Sequence, residues 1–504
     1  MKKWEIALAI VGTILLVLSA WAIHSNELPH QETLLTADGC HMPATILEPS
    51  MKPRGVAILF HGLSADRRIM ESLGDYFTSA DGLRSYLFDL PGHGDNTDKF
   101  SFSRADDCAR IIVESLIRSG EMDPQRTILV GHSMGGAIAI RAADREPVAA
   151  TIALSPAPMP LPRRMPANLL VFSAQYDLPI LKRGARALAQ AAGGDRTQAD
   201  DFFEARAFHL QVVSWSDHTS LLTDPRVFRK ARNWIDLTLG IAGHQSVQSQ
   251  SNLYTNIFPL VGLLVALLLF PFCASLSAKI VGPGAAYVST VHPLAKLVLV
   301  EGAACALATV LLLAAFNPLL LLHLYTGDYL ASLLFISGVL LLALNWKSAK
   351  QSQRWNAPAL LSAAVLGFTV MLGVGAWLNW QTADLWLNAP RWLRFAALLP
   401  VMWIFCFAEE AFLGPVGKGR QRATRFLIFL AVRAELWLAC LFAHYALASG
   451  QVLILILVPS LVIFSMLQRL AADALRLRIG SATATALFSA ILAAWFIAAI
   501  FPLT

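Results

Sequence analysis

Residues 131–135 read Gly-His-Ser-Met-Gly, with Ser133 two positions from a glycine on either side. This spacing suits nucleophilic attack by a hydroxyl, because neighbours without side chains let a serine occupy a sharp, exposed turn. Ser133 is therefore our candidate nucleophile. An ordinary glycine-rich turn would show the same letters, so the flanking residues must decide between the two interpretations.

The residues around Ser133 predict the elements that would position it. Residues 127–130 form a short apolar run, which is typical of a buried strand. Residues 136–143 are small and helix-prone. A strand, a tight turn and a helix in this order are the setting in which the pattern forms a nucleophile elbow.

A serine nucleophile needs a base and an acid that orients the base. Asp177 lies at the end of a predicted strand that begins near Asn168, and His218 follows a predicted strand that begins at His209. We predict His218 as the base and Asp177 as the acid. In the alternative interpretation, Asp177 is a solvated loop residue that caps a helix starting at Pro179.

The same chemistry needs two N–H donors for the oxyanion of the tetrahedral intermediate. Residues 55–62 predict a buried strand that ends in His61-Gly62, so the N–H of Leu63 is one candidate donor. The other is the N–H of Met134, the residue after the nucleophile.

Other polar residues compete for these roles. Asp217 adjoins His218, and adjacent loop residues rarely orient each other. Four further histidines fall in the proposed oxyanion turn, the elbow, a loop or a strand start: His61, His132, His93 and His209.

The order Ser133, Asp177, His218 along the chain is the order of α/β-hydrolases. Residues 30–240 resemble the serine hydrolase group that contains monoglyceride lipases and serine aminopeptidases. The matching pieces are Phe60-His-Gly-Leu-Ser, Phe88-Asp-Leu-Pro-Gly-His-Gly and Gly131-His-Ser-Met-Gly-Gly. The resemblance implies an α/β-hydrolase fold, a mostly parallel sheet with helices on both faces. Only 44 positions separate Ser133 from Asp177, so we expect little or no lid.

The composition indicates a second, membrane-bound part. The chain is 56% hydrophobic and 15% charged with a mean hydropathy of +0.55, which is too apolar for a soluble enzyme of 504 residues. We predict four parts: a transmembrane anchor or cleaved signal peptide at 1–24, the α/β-hydrolase domain at 25–240, a polar linker at 241–256, and a transmembrane domain of about eight helices at 257–504.

Nine apolar runs approach the roughly 20 residues that span a bilayer. The runs are 6–23, 257–276, 294–316, 329–344, 357–377, 392–412, 426–447, 451–467 and 482–503. A short stretch at 318–325 either extends the fourth run or forms a re-entrant piece.

Lysine and arginine alternate between the short connections and so predict orientation. The connections 317–328 and 448–450 hold neither residue, and 378–391 holds only Arg391. The other connections carry Lys279, Lys347, Lys350, Arg354, Lys418, Arg420, Arg422, Arg425, Arg469, Arg476 and Arg478. This pattern predicts a bacterial inner-membrane protein with a periplasmic hydrolase domain. It also accounts for most of the net charge of +6, so we expect no nucleic-acid partner.

The cysteines and the known motifs imply no cofactor. Cys40 and Cys108 lie in the exported domain, where a disulfide is permitted, but the sequence does not decide whether they meet. Metal-binding patterns, a P-loop and a dinucleotide fingerprint are missing from the sequence. We therefore predict neither a metal nor a cofactor.

Charged residues inside the predicted spans form a possible second site. Charges at mid-bilayer cost roughly 2.5–3.5 kcal/mol each, so they usually face the bundle interior. Glu409, Glu410, Arg433 and His444 fall in such runs, and a structural salt bridge between helices is the simpler interpretation. Glu409-Glu-Ala-Phe and Leu441-Phe-Ala-His444 faintly resemble the CAAX-protease-like family. That family has an arginine where this chain has Gly414, so the resemblance implies a degenerate domain.

These observations together predict a membrane-anchored serine hydrolase that acts on acyl esters. Membrane lipids are the predicted partners, and an acyl lipid or another envelope ester is the predicted substrate. A serine peptidase is the nearest alternative because the same triad serves both reactions. A transporter or signalling protein with an accessory hydrolase domain is the alternative from a different class. The sequence leaves the oligomeric state open.

Overall fold

The structure, a computed structural model, describes residues 3–240, 251–281, 295–353, 355–380, 382–417 and 419–504. Most of the predicted linker, at 241–250, lies outside these ranges, as do Arg354 and Lys418. The chain divides into two compact units. The sheet unit comprises Ser19–Leu260, Trp377–Trp386 and Pro502–Thr504, and the helical unit comprises Met1–Leu18, Val261–Ala376 and Leu387–Phe501.

One eight-stranded sheet organises the sheet unit, in the order β1-β2-β4-β3-β5-β6-β7-β8. The strands are β1 (His30–Ala37), β2 (Cys40–Leu47), β3 (Gly55–Phe60), β4 (Leu83–Phe88), β5 (Thr127–His132), β6 (Ala150–Leu154), β7 (Leu169–Ala174) and β8 (Phe208–Val213). Strand β2 runs antiparallel to both of its neighbours, and all other pairs are parallel. The predicted α/β-hydrolase fold class is confirmed.

The central strands are apolar along their whole length because both faces of the sheet are covered. Every residue of β3, β5, β6 and β7 is buried. Continuous apolar runs of this kind are typical of parallel strands between two helical layers. The edge strand β1 instead has only exposed and half-buried positions.

Helices cover the two faces with separate apolar clusters. The first helix of the chain is α1 (Lys3–Asn26). The helices beside the sheet are α2 (Glu71–Asp81), α3 (Phe102–Arg118), α4 (Met134–Arg145), α5 (Pro179–Ala191), α6 (Ala199–Phe203) and α7 (Pro225–Thr238). One cluster joins Phe77 of α2 and Phe228 of α7 to the sheet, and another joins Ile140 of α4 and Leu188 of α5 to it. Ser133 lies in the turn between β5 and α4.

Two segments from the second half of the chain complete the sheet unit and extend it beyond the predicted boundaries of 25–240. The Leu503 N–H donates to the Gly92 carbonyl at 3.0 Å, and the Phe100 N–H donates to the Leu503 carbonyl at 2.6 Å. The Asp384 N–H donates to the Asp66 carboxylate at 2.8 Å.

The helical unit contains α8 (Ser251–Val281), α9 (Ala295–Ala315), α10 (Gly327–Leu344), α11 (Trp346–Ser352), α12 (Ala357–Asn379), α13 (Ala389–Phe412), α14 (Arg420–Ala446), α15 (Val452–Ile479) and α16 (Ala482–Ile500), of which α8 begins in the sheet unit. Within the described residues, nine helices are long and apolar enough to cross a membrane: all of these except α11, together with α1. This agrees with the nine predicted runs. The stretch 318–325 forms only a short 3₁₀ turn at Leu320–Leu322.

The sheet unit contains a disulfide that the sequence left undecided. Cys40 begins β2 and Cys108 lies on the buried side of α3. Their Cα atoms are 5.3 Å apart, and the two sulfurs are bonded. The bond ties α3 to the sheet next to the edge strand.

We expect the Cys40→Ser variant to unfold more easily by about 2–4 kcal/mol, because the bond closes a loop with a sequence separation of 68. Denaturant unfolding of the purified full chain, with and without reductant, measures this. The Cys108→Ser variant should match it. A reductant effect in the wild type that persists in both variants would contradict the assignment.

Candidate active site

The backbone at Ser133 adopts a conformation that few residues tolerate. Its φ is +55° and its ψ is −115°. The Ser133 N–H donates to the Leu154 carbonyl at 2.8 Å, and its own carbonyl accepts from the Ala157 N–H at 2.8 Å. A strained serine persists only where its surroundings hold it, and such strain concentrates at functional sites.

Glycines allow the strand and the helix on either side of Ser133 to approach each other. A Cβ atom on Gly131 would overlap the backbone of Gly135, and a Cβ on Gly135 would overlap the Phe60 carbonyl. The overlapped atoms belong to the backbone, which cannot shift aside as the end of a flexible side chain could. The glycines of the motif are therefore required by close packing, as the sequence predicted for a nucleophile elbow.

The predicted acid and base are hydrogen-bonded to each other. His218 Nδ1 lies 2.8 Å from Asp177 Oδ1, and the carboxylate is fully buried. Helix α5 begins at Pro179 and its cap residue is Leu178, with no side-chain cap hydrogen bond. The alternative interpretation of Asp177 as a solvated helix cap is therefore wrong.

Ser155 also holds Asp177, and the sequence analysis missed it. Its hydroxyl donates a short hydrogen bond to Asp177 Oδ2, so each carboxylate oxygen has a different partner. Ser155 directly follows β6, which lies between β5 and β7. The available signal was a serine at the carboxyl end of β6, which lies between the strands that precede Ser133 and Asp177.

His132 fixes His218 beside the elbow. His132 Nε2 is 2.9 Å from the His218 carbonyl oxygen, and the two ring centroids are 4.7 Å apart. Burial, with the nearby His218 as a smaller cause, lowers the pKa of His132 to about 3, so this ring stays neutral and donates. In the part of the chain that the structure describes, no direct hydrogen bond joins Ser133 Oγ to His218. Such contacts are often long without substrate.

The two predicted oxyanion donors lie on either side of Ser133. Met134 is the first residue of α4, so its N–H has no acceptor within the helix and lies at the positive end of the helix dipole. Leu63 follows Gly62, where an added Cβ would be 3.2 Å from the Ser133 Cβ. The turn at Leu63 therefore packs directly against the elbow.

A buried network fixes the turn that carries Leu63. His61 Nε2 accepts from the Leu90 N–H at 3.0 Å, which leaves Nδ1 to donate to the Gly62 carbonyl at 2.7 Å. The Arg67 guanidinium binds Asp89, and the Arg67 N–H donates to Asp89 Oδ1 at 2.7 Å. His61 is therefore a structural residue of the turn.

The remaining competitors are engaged away from Ser133. Asp217 Oδ1 accepts from the N–H groups of Thr219 and Ser220, at 3.0 and 2.9 Å. His209 pairs with Asp195 at 3.0 Å. His93 Nδ1 lies 2.9 Å from the Pro91 carbonyl.

Three carboxylates of the sheet unit are close enough to share a cation. Oxygens of Asp89, Asp95 and Asp384 lie within 4.8 Å of one another. Arg67 already binds two of these groups, with its Nη2 2.8 Å from Asp95 Oδ2. Because this guanidinium supplies the positive charge, we assign the cluster a structural role.

The helical unit holds three of the four predicted membrane residues, Glu409, Glu410 and Arg433, in a buried ionic cluster. Arg433 Nη2 lies 2.9 Å from Glu409 Oε1, which is the predicted interhelical pair. The sequence analysis missed the partners of Glu410, which are Arg425, Arg469 and Arg476. His444 lies apart from these pairs, with its ring 4.9 Å from that of Tyr445.

Comparisons with known proteins identify one matching sequence profile and several similar solved structures. A sequence profile described as "Alpha/beta hydrolase family" matches residues 57–256. None of the curated proteins matches the chain. Similar solved structures include a predicted CIB-like hydrolase from Thermoplasma acidophilum, which is 19% identical, has a TM-score of 0.33 and aligns over 43% of this chain and 100% of its own.

Two further solved structures are similar over comparable lengths. An esterase from Pyrobaculum calidifontis is 15% identical over 46% of this chain and 92% of its own, with a TM-score of 0.33. An alpha-beta serine hydrolase homologue from Coxiella burnetii is 14% identical over 42% of this chain and 97% of its own, also with a TM-score of 0.33.

Buried carboxylates next to the Leu63 turn predict a loss of stability as the pH rises. Burial, reinforced by the negative charges of neighbouring carboxylates, raises the pKa of Asp384 to about 7 and that of Asp66 to about 8. The unfolded chain ionises these groups near pH 4, so their contribution is complete below that pH and is lost as the pH rises to about 8.

The Asp384→Asn variant should not lose the part of the stability that wild type loses when Asp384 ionises. The stability of the variant relative to wild type should therefore increase between pH 5 and pH 9, as measured by thermal unfolding of the full chain. Asn retains an oxygen that can accept from the Trp386 N–H, 3.1 Å away in the wild type. A difference that stays constant with pH would show that Asp384 does not titrate in this range.

Proposed function

We propose that this chain is a membrane-anchored serine hydrolase that cleaves carboxylic esters through an acyl-enzyme intermediate. The observation that carries the proposal is the strained, glycine-flanked Ser133 beside the hydrogen-bonded pair of His218 and Asp177. Two unengaged backbone N–H groups, those of Leu63 and Met134, border the same serine. These parts together suit acyl transfer better than any other reaction.

In the proposed mechanism, Ser133 Oγ attacks the ester carbonyl carbon while His218 Nε2 takes the hydroxyl proton. Asp177 holds the imidazole in the required tautomer and stabilises the imidazolium. The N–H groups of Leu63 and Met134 donate to the oxyanion. The ester C–O bond then breaks, and His218 gives its proton to the leaving alcohol. Water repeats the sequence and releases the carboxylic acid, which restores the Ser133 hydroxyl.

An ester is preferred over a peptide as the substrate because of the surroundings of Ser133. The segment between β6 and β7 is short and contains five prolines at 156–166, so little chain is available to build a closed pocket. Peptide cleavage remains the second candidate, because the catalytic groups are the same.

We propose that the sheet unit faces away from the cytoplasm of a bacterial cell. The alternation of lysine and arginine between connections supports this orientation. The bond between Cys40 and Cys108 supports it independently, because disulfides persist in oxidising compartments and are rare in the cytosol.

We assign the helical unit the role of a membrane anchor. Both oxygens of Glu410 are occupied by arginines, which leaves no free carboxylate to activate water there. This occupation argues against protease chemistry at Glu410. A transporter or signalling role for this unit is the alternative, with hydrolysis by the sheet unit as an accessory activity.

Replacing Ser133 by Ala should abolish labelling by a fluorophosphonate probe and lower kcat on a soluble short-chain ester by on the order of 10⁶-fold. The Asp177→Asn variant should retain the fold but lose roughly 10⁴-fold in rate, because the wrong histidine tautomer is then favoured. Asp217→Asn is the matched control and should change the rate little. Labelling of the Ala variant at the wild-type level would place the nucleophile elsewhere.

Comparing ester with aminoacyl-anilide turnover distinguishes the two candidate reactions. We expect hydrolysis of the ester, abolished by Ser133→Ala, and slow or no release of the anilide. Anilide turnover exceeding that of the ester in kcat/KM would favour the peptidase alternative.

Reporter fusions test the orientation. Fusions after Ser348 and Gly419 should report a cytoplasmic position, because their connections carry the excess of lysine and arginine. Fusions after Gln248 and Thr504 should report the opposite side. A cytoplasmic signal after Gln248 would contradict the export of the sheet unit and would leave the disulfide without an oxidising compartment.

A further inference from the structure

Two segments that begin next to the candidate active site carry a basic surface. The segment 156–167 and helix α5 together contain five lysines and arginines and no aspartate or glutamate. These residues are Arg163, Arg164, Lys182, Arg183 and Arg186. All are exposed except Lys182, which is half-buried.

Packing brings the two basic segments onto one side of the sheet. Met159 and Met165 of the segment pack against the apolar cluster that includes Ala185 and Leu188 of α5. The backbone N–H groups of Arg163 and Arg164 donate to Asp144, at 3.2 and 2.8 Å, which orders the segment. Asp144 contributes one negative charge beside the five cations, so the positive charge of the two segments remains in excess.

Exposed apolar side chains border the same surface. Trp215 is 82% exposed and Tyr176 is 56% exposed, and their rings meet edge to face with centroids 6.1 Å apart. Ile180, in the first turn of α5, is 46% exposed. Tryptophan and tyrosine rings of this kind favour the boundary between lipid and water.

The backbone at Trp215 is held in an uncommon conformation. Its φ is +57°, which is a rare conformation for a bulky residue. The Trp215 N–H donates to Gln175 Oε1 at 2.7 Å, and Arg226 Nη2 donates to the Ser214 carbonyl at 2.7 Å. Lys182 Nζ in turn donates to the Gln175 carbonyl at 3.2 Å, which links α5 to the aromatic pair.

The aromatic pair adjoins the candidate acid and base. Tyr176 immediately precedes Asp177, and Trp215 lies three residues before His218. In acyl transfer the base protonates the leaving group, so the leaving alcohol must lie next to His218. A substrate that reaches Ser133 from this side therefore passes the aromatic pair.

We propose that these residues form a docking face for an anionic phospholipid bilayer, and that the ester substrate enters from that bilayer. We call this set the basic–aromatic face: Arg163, Arg164, Tyr176, Ile180, Lys182, Arg183, Arg186 and Trp215. The entry of the ester substrate from the bilayer rests on the proposed function, whereas the docking does not. Lipid phosphates would pair with the uncompensated cations, and the boundary between lipid and water would accommodate the aromatic rings. The candidate spans of the same chain would place the sheet unit on a membrane.

The test uses the full chain in nanodiscs of phosphatidylcholine, with or without phosphatidylglycerol at about one third of the lipid. The measured quantity is kcat/KM on a bilayer-borne ester divided by kcat/KM on a soluble short-chain ester. We expect the charge reversal Arg183→Glu with Arg186→Glu to lower this ratio at least tenfold on anionic discs and less than twofold on neutral discs. The matched control, Arg229→Glu with Lys230→Glu on α7, carries the same change of charge against the other apolar cluster and should leave the ratio unaltered.

A second measurement detects docking without turnover. In the Ser133→Ala variant, trypsin should cleave after Arg164 at least threefold more slowly on anionic than on neutral discs, relative to cleavage after Arg118. Equal relative rates on the two discs would overturn the docking proposal. Inactivity of the wild type on both esters would instead reject the proposed function and leave the trypsin result to stand alone.

Other occupants of the face give distinguishable results. Binding of a single anionic substrate headgroup would lower the ratio equally on both kinds of disc, and soluble glycerophosphate would compete with it. A protein partner would leave both disc compositions equivalent in the trypsin measurement. Either outcome would overturn the lipid assignment.

Discussion

The close approach of β5 and α4 at Ser133 is the constraint on which the rest of the site depends. Gly131 and Gly135 permit the approach, since a side chain on either would overlap backbone atoms. The resulting turn gives Ser133 a positive φ and leaves the Met134 N–H free at the start of a helix. The Ser133 N–H donates to the Leu154 carbonyl of the neighbouring strand, and the Ala157 N–H donates to the Ser133 carbonyl. These bonds hold the turn, so the surrounding sheet sustains its strain. The candidate acid, the candidate base and the turn at Leu63 are then arranged around Ser133.

The same sheet brings the supporting residues to one edge. Asp177, Ser155 and Ser133 follow three adjacent parallel strands, and the carboxyl ends of such strands meet at one edge of a sheet. On the other side of the elbow, Arg67 and Asp89 fix the turn that carries Leu63. The backbone N–H of Asp384, in the second half of the chain, donates to the carboxylate of Asp66, which lies close to this turn. The sheet unit is therefore not a continuous stretch of sequence, and its stability depends on segments beyond residue 376.

The ionic cluster of the helical unit obeys a different constraint. Charges taken out of water must be compensated by opposite charges. Removing one partner of a buried ion pair lowers the stability by more than the intact pair contributes to it. Glu410 meets this requirement with three arginines that come from two other helices. The cluster therefore specifies how α13, α14 and α15 pack. Glu409 and Arg433 extend the cluster between α13 and α14.

Local pattern by itself determined the elements and indicated the candidate catalytic residues. The apolar runs predicted the buried strands and the nine candidate spans, and the spacing of glycine around Ser133 predicted the elbow, because these features depend on neighbouring residues. The tertiary structure alone decided the bond between Cys40 and Cys108, the hydrogen bond from Ser155 to Asp177, the arginine partners of Glu410 and the inclusion of 377–386 in the sheet unit. In each case the residues that meet are separated along the chain. Their contact depends on how whole strands and helices are arranged, and neither periodicity nor a motif encodes that arrangement.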